Sequence, residues 1–131
     1  MDQQVKRILI VEDDGLLLNV LADKFKGFNF KVLRAENGKK AIDLIFQEKP
    51  DLMILDLLIP VLDGFKVLEK IRSYPDKDIS GIKVIVLSNL WSAKDILSAR
   101  ALKIEEYFVK SSTDLDQVCV KALACLGVEQ K

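Results

Sequence analysis

The chain has 131 residues, half of them apolar, and its 20 basic and 20 acidic side chains cancel to a net charge of zero. This length predicts a single compact domain, and the balanced charge gives no reason to expect direct binding to nucleic acid or to acidic membranes. The apolar runs are too short to span a bilayer and no signal peptide precedes them, so we expect a cytoplasmic protein without membrane contact.

Five short runs rich in β-branched and apolar residues predict strands, and stretches with helical spacing separate them. The runs are RILIV (7–11), FKVLR (30–34), DLMIL (51–55), IKVIVL (82–87) and EYFV (106–109). Lys31 and Arg34 predict that the second strand lies at an edge of the sheet. The third and fourth runs are continuously apolar, which is typical of parallel strands that helices cover on both faces. Five βα units therefore predict a doubly wound α/β domain.

The helical stretches carry apolar side chains at helical spacing. The first should turn Leu17, Val20, Leu21 and Phe25 towards the core and end at Gly27. The second should begin after Asn37 as its N-cap and turn Ala41, Ile42 and Ile45 inward, and the third carries Val67, Leu68 and Ile71. The fourth opens with Ser92 and Asp95 at the spacing of a capping box. The last runs from about Ser112 and carries Leu115, Val118, Ala122 and Leu123.

Polar side chains follow four of the five predicted strands. Glu12 and Asp13 follow the first, Asp56 the third, Ser88 the fourth and Lys110 the fifth. Because ligands bind at the carboxyl ends of the strands in an open parallel sheet, we expect these groups to converge. Next to them, Asp14 precedes the first helix, and we interpret it as the N-cap of that helix.

This set of side chains suits phosphoryl transfer. Carboxylates without histidine or cysteine nearby favour Mg²⁺, with Mn²⁺ as the alternative. A cation and a lysine would neutralise phosphoryl oxygens while one carboxylate acts as nucleophile.

The sequence resembles the receiver domain of bacterial two-component response regulators, of the kind found in chemotaxis regulators. The resemblance spans about residues 6–126 of a single domain that we assign to residues 1–131. It is carried by LIVEDD after the first strand, DLLIPVLDG after the third, VLSN after the fourth and EYFVK around the fifth. It implies a flavodoxin-like (βα)5 fold whose five parallel strands have the order 2-1-3-4-5.

The resemblance also implies a role for each site residue. Asp56 matches the phospho-acceptor, which receives a phosphoryl group from a phosphohistidine. Lys110 and Ser88 match the groups that contact the phosphoryl oxygens, and Tyr107 matches an aromatic switch residue. The implied Mg²⁺ ligands are Glu12, Asp13, Asp56 and the backbone carbonyl of Leu58.

Several positions depart from the family pattern. Ser111 stands where a proline with a cis peptide bond is usual, so we expect a trans Lys110–Ser111 bond, or a strained cis one. Asn89 replaces a small residue and should reach the mouth of the site or alter the loop after the fourth strand. Leu58 and Leu90 are apolar where the family tunes hydrolysis, which predicts a long-lived phosphoaspartate. Trp91 is interpreted either as a core residue or as an anchor for a partner.

The chain contains no histidine, so the resemblance implies a separate histidine kinase or histidine phosphotransfer protein as the donor. Output to an unidentified downstream protein would use the face formed by the fourth predicted helix, the fifth strand and the last helix. The protein would be a monomer or a phosphorylation-dependent dimer. It would not be an enzyme, since it would catalyse only its own phosphorylation and dephosphorylation.

Two alternatives stay open at this point. A phosphohydrolase of the haloacid-dehalogenase class would also use a nucleophilic aspartate and Mg²⁺. It needs a second acid two residues after the nucleophile, where this chain has Leu58. A pseudo-receiver would keep the fold without being phosphorylated.

Overall fold

The computed structural model describes residues 5–128. Five parallel strands form one sheet in the order β2-β1-β3-β4-β5, and this confirms the predicted fold and the position of β2 at an edge. The elements are β1 (Lys6–Val11), α1 (Gly15–Lys24), β2 (Phe30–Ala35), α2 (Gly38–Glu48), β3 (Leu52–Leu55), α3 (Gly64–Arg72), α4 (Lys77–Ser80), β4 (Lys83–Ser88), α5 (Ala93–Arg100), β5 (Glu106–Val109), a 3-10 turn (Lys110–Ser112) and α6 (Leu115–Cys125). The ends of the predicted domain, residues 1–4 and 129–131, lie outside the described residues.

The sheet separates two apolar cores. Alternate residues of each strand point to opposite faces, so that Leu9 and Val11 pack with α2, α3 and α5, while Ile8 and Ile10 pack with α1 and α6. β3 is fully buried along its length, as its continuous apolar sequence predicts. Within residues 5–128, no helix is long and apolar enough to cross a membrane.

The structure corrects the predicted inward face of α1. Val20 is exposed, whereas Leu18 and Ala22 are buried with Leu21. The helix also ends earlier than Gly27, because Phe25 caps it. The start of this helix is almost entirely apolar, so its sequence fits more than one inward face, and packing against the sheet and α6 selects one of them.

Two further helix boundaries differ from the sequence prediction. α4 was not predicted, because its single turn buries only Ile79 and offers no helical period. α6 begins at Leu115 rather than near Ser112, since the chain first forms the 3-10 turn and Asp114 then caps the helix. Trp91 is 75% exposed, so the interpretation of Trp91 as a core residue is wrong.

Candidate functional site

The sheet brings the predicted site residues to one edge. β1, β3, β4 and β5 are neighbours that run in the same direction, with Val11 beside Leu55 and Ser88 beside Val109. The residues that follow these strands therefore emerge side by side. The convergence expected from the sequence is what the topology produces.

The three acids after β1 have different surroundings. Glu12 is 1% exposed, and its backbone N–H donates to Ala35 at 3.0 Å, which extends the contact between β1 and β2. Asp13 is exposed. Asp14 accepts the N–H groups of Leu16 and Leu17 and thereby caps α1, as predicted. Only Glu12 and Asp13 are thus available to the site.

Asp56 is 4% exposed and tightly held. Its backbone N–H donates to the carbonyl of Val11 at 3.0 Å, and its Oδ1 accepts the N–H of Leu58 at 3.0 Å. Gly64 begins α3 directly behind it, where a Cβ would lie 2.6 Å from the Asp56 carbonyl oxygen. The glycine lets α3 approach, and Asp63 caps that helix.

The loop between β3 and α3 is sharply folded. Val61 has a backbone φ of 71°, and the N–H of Leu62 donates to Pro60 at 2.8 Å, which closes a γ-turn. A β-branched residue rarely adopts this conformation, so the turn is strained. The Pro60 carbonyl also accepts the N–H of Gly38 at 3.2 Å, which ties the loop to α2. No feature of the sequence predicted this turn.

Lys110 joins the two buried carboxylates. Its Nζ lies 2.6 Å from Asp56 Oδ2 and 2.7 Å from Glu12 Oε1, and its side chain is 18% exposed. Burial opposes the charge on the ammonium group, but the hydrogen bonds to Asp56 and Glu12 outweigh burial and raise the pKa of Lys110. Burial also raises the pKa of Glu12, against the opposing hydrogen bond from Lys110.

The link between Lys110 and Glu12 was not anticipated from the sequence. The resemblance implies Mg²⁺ beside Glu12, Asp13 and Asp56, and in the structure the Lys110 ammonium group contacts both Glu12 and Asp56. The signal was available in part, since strand order alone brings Lys110 to the same edge as both acids.

The acids also fit a hard cation. One carboxylate oxygen each from Glu12, Asp13 and Asp56 lie within 4.8 Å of one another. Two of these side chains are buried and one is open to solvent, so the cluster offers fixed oxygen ligands with an accessible side. Such oxygen donors suit Mg²⁺ or Mn²⁺. Leu58 lies beside Asp56, and the ligand role of its carbonyl stays a prediction.

The loop after β4 carries the remaining site residues. Ser88 is fully buried, and its Oγ lies 3.4 Å from the N–H of Leu90. The Leu90 carbonyl accepts the hydroxyl of Tyr107 at 2.7 Å, and Tyr107 is 8% exposed. Asn89 accepts the backbone N–H of Ser111 at 3.1 Å. This last contact was not predicted, although both residues were noted as departures.

The peptide bond between Lys110 and Ser111 is trans, which is the first of the two predicted alternatives. Serine follows the lysine in a short 3-10 turn, where the side-chain hydroxyl of Thr113 donates to the Val109 carbonyl at 2.6 Å. The turn therefore forms without the proline that is usual at position 111 in the family resembled.

Comparison with known proteins points to one family. The family described as "Response regulator receiver domain" matches residues 8–121. The "Regulator of RpoS" of Escherichia coli (strain K12) is 34% identical over 121 residues, which are 92% of this chain and 35% of that protein. The chain thus spans about a third of the length of this relative.

Solved structures agree in fold. The phosphorylated cyanobacterial phytochrome response regulator RcpA is 30% identical with a TM-score of 0.78, over 92% of this chain and 91% of that one. The Mn²⁺-bound form of response regulator Rcp1 is 26% identical with a TM-score of 0.80, over 96% of each chain.

Proposed function

The chain belongs to the family of response regulator receiver domains, and on this premise we propose that it is a phospho-accepting switch with Asp56 as the acceptor. As a receiver domain it is part of a two-component signalling system. We propose a cytoplasmic location for it and, as its donor, a histidine kinase or histidine phosphotransfer protein, since the chain has no histidine of its own.

One observation carries the proposal: Asp56 is a buried carboxylate whose two oxygens have different partners. The backbone N–H of Leu58 holds Oδ1, while Oδ2 contacts the Lys110 ammonium group. An ammonium group can move to another anion, because it is attached to a flexible side chain. The arrangement therefore presents a fixed nucleophile beside a mobile positive charge.

The chemistry of the chain's own residues follows from this geometry. An Asp56 oxygen attacks phosphorus in line, the O–P bond forms as the P–N bond of the phosphohistidine breaks, and the donor imidazole keeps the electron pair of that bond. Lys110 then pairs with a phosphoryl oxygen, and the Ser88 hydroxyl donates to another. Glu12, Asp13 and Asp56 with the Leu58 carbonyl would hold Mg²⁺, with Mn²⁺ as the alternative. When bound, this cation supplies positive charge against the phosphoryl oxygens.

The output would follow from the loop after β4. Movement of Ser88 towards the phosphoryl group would shift Leu90, whose carbonyl holds Tyr107. That shift would change a two-state equilibrium on the face formed by α5, β5 and α6, where an unidentified protein or a second copy of the chain binds. Trp91 and Leu97 are exposed beside this face and support its use as a docking surface.

A phosphohydrolase is disfavoured, because Leu58 occupies the position of the required second acid and is 54% exposed without an ionisable group. We propose that the chain catalyses only its own phosphorylation and dephosphorylation. The apolar Leu58 and Leu90 cannot orient an attacking water, which supports a long-lived phosphoaspartate.

The test is intact-mass measurement after incubation with acetyl phosphate, with and without Mg²⁺. We expect one added phosphoryl group in Mg²⁺, none after chelation and none in Asp56→Asn. Asp63→Asn is the matched control, because asparagine keeps the cap of α3 and Asp63 lies outside the site. Stoichiometric labelling of Asp56→Asn would refute the assignment, and failure of the wild type to label would favour a pseudo-receiver.

A further inference from the structure

Asn89 forms a hydrogen bond that crosses between two loops of the site edge. Ser88 and Val109 are partners in the register of β4 and β5, so Asn89 and Lys110 leave neighbouring strands side by side. The Oδ1 of Asn89 accepts the backbone N–H of Ser111 at 3.1 Å, across 22 positions of sequence. The side chain thus holds the peptide group that directly follows Lys110.

The other bonds of this turn are local. The hydroxyls of Thr113 and Ser112 donate to the Val109 carbonyl at 2.6 and 3.4 Å, and the Thr113 N–H lies 3.5 Å from the Lys110 carbonyl. These contacts shape the turn but do not fix it against the rest of the site. The hydrogen bond that the Ser111 N–H donates to Asn89 fixes the turn against the rest of the site, because Asn89 belongs to the loop that follows β4.

The orientation of the Lys110–Ser111 peptide group determines where the lysine side chain starts. From there the ammonium group reaches Asp56 at 2.6 Å and Glu12 at 2.7 Å. A turn of this peptide group would move the point from which the flexible lysine side chain reaches both carboxylates. A hydrogen bond on the adjoining peptide group is therefore placed to control them.

The two residues suit each other chemically. Asn89 supplies an acceptor that the small residue usual at position 89 in the family would not, and Ser111 supplies an N–H that a proline would lack. Each departure from the family pattern provides what the other requires.

We propose that Asn89 is a positioning residue for Lys110, acting through the backbone N–H of Ser111. This inference rests on the proposed role of Asp56 as phospho-acceptor, and it deepens that role. Because Asn89 lies between Ser88 and Leu90, the bond also makes the loop after β4 and the lysine move together when the site is phosphorylated.

The test is a double-mutant cycle on the rate at which acetyl phosphate labels Asp56 in Mg²⁺. We expect Asn89→Ala to slow labelling about three- to tenfold, which is the effect of losing one hydrogen bond. Ser111→Pro should slow it as well, and the double variant no further than Ser111→Pro alone. Ser111→Ala keeps the N–H and should lose far less than Ser111→Pro.

The matched control is Asn29→Ala, an exposed asparagine at the opposite edge of the sheet. It should label at the wild-type rate. Additive losses in the double variant, or an Asn89→Ala rate equal to that of Asn29→Ala, would overturn the proposal.

A second readout does not depend on phosphorylation. The ¹⁵N signal of the Lys110 ammonium group, identified by its absence in Lys110→Arg, should shift in Asn89→Ala and Ser111→Pro but not in Asn29→Ala. If the wild type fails to label while this pattern holds, the acceptor assignment fails and the positioning role stands. If the wild type labels while the signal stays unchanged in Asn89→Ala, the positioning role fails.

Discussion

Two half-buried cations lie at opposite edges of the sheet: one at the amino edge, where the parallel strands begin, and one at the carboxyl edge, where they end. Their partners differ in kind. At the amino edge, the Arg72 guanidinium donates to four backbone carbonyls, those of Leu102, Ser80, Ile82 and Lys103, at 2.7–3.0 Å. At the carboxyl edge, Lys110 contacts two carboxylates. Burial lowers the pKa of Arg72, whereas hydrogen bonds to Asp56 and Glu12 overcome burial and raise that of Lys110.

The difference separates a structural cation from one suited to chemistry. Backbone carbonyls are neutral and fixed by the fold, so the guanidinium of Arg72 has one stable position and joins the end of α3 to the connections that precede β4 and β5. Carboxylates carry charge, can accept a phosphoryl group and can bind a second cation. Identifying the partners of a buried cation therefore tells more about its role than identifying the cation itself.

The largest expected effect on stability is at Arg72. Arg72→Met should lower the free energy of unfolding by about 2–4 kcal/mol, because several part-buried carbonyls lose their donor. Urea unfolding followed by circular dichroism measures this loss. Arg100→Met is the control, since Arg100 is exposed and, among residues 5–128, forms an ion pair only with Glu106 at 3.4 Å. It should cost at most about 0.5 kcal/mol. Equal losses in the two variants would remove the contrast between the edges.

Removing the other cation should cost less. Lys110→Met should lower the free energy of unfolding by about 1–3 kcal/mol near neutral pH, because Glu12 and Asp56 are left together without a positive charge. Adding Glu12→Gln to Lys110→Met should recover part of the loss. If the second substitution destabilises the protein further, carboxylate repulsion is not the cause.

A divalent cation should be able to replace the positive charge of Lys110 at the carboxyl edge. Mg²⁺ should stabilise Lys110→Met more than it stabilises the wild type, by about 1 kcal/mol, because the acids then lack their ammonium partner. Thermal unfolding with and without Mg²⁺ measures the difference. Adding Asp13→Asn should reduce it, whereas an equal shift in wild type and Lys110→Met would contradict the idea.

The smallest effect concerns Tyr107, which donates to a backbone carbonyl at the functional edge. Burial raises its pKa, so its phenol should ionise above the ordinary value of about 10. Its contribution to stability is complete below about pH 10 and falls as the pH rises further, because the unfolded chain loses its proton first. The tyrosinate absorbance of wild type minus that of Tyr107→Phe reports this transition. A difference midpoint below about 10 would disprove the shift.

Much of the fold and of the site edge could be predicted from the sequence. Short runs rich in β-branched and apolar residues located the strands, and a polar residue after each of four strands identified the edge where they meet, because parallel strands end together. Asn37, Asp14 and Ser92 were identified as caps from their position before a helical period, and each caps a helix in the structure.

What could not be predicted depends on partners without a side-chain signature. Arg72 looks like any basic residue at the end of a helix, and the carbonyls that it contacts belong to residues of any type. The bond between Asn89 and Ser111 involves a backbone N–H, and α4 is too short to show a period. The inward face of α1 was ambiguous because its first residues are nearly all apolar.

The partners of Arg72 also bear on the order in which the protein can fold during synthesis. The guanidinium donates to residues 8 to 31 positions further along the chain, and Lys110 follows Asp56 by 54 positions. A nascent chain that ends before Leu102 therefore holds Arg72 with incomplete partners at one edge, and until Lys110 is added it holds two acids without a lysine at the other. Both edges reach their final contacts only when the last third has left the ribosome, so the domain completes its folding as one cooperative unit.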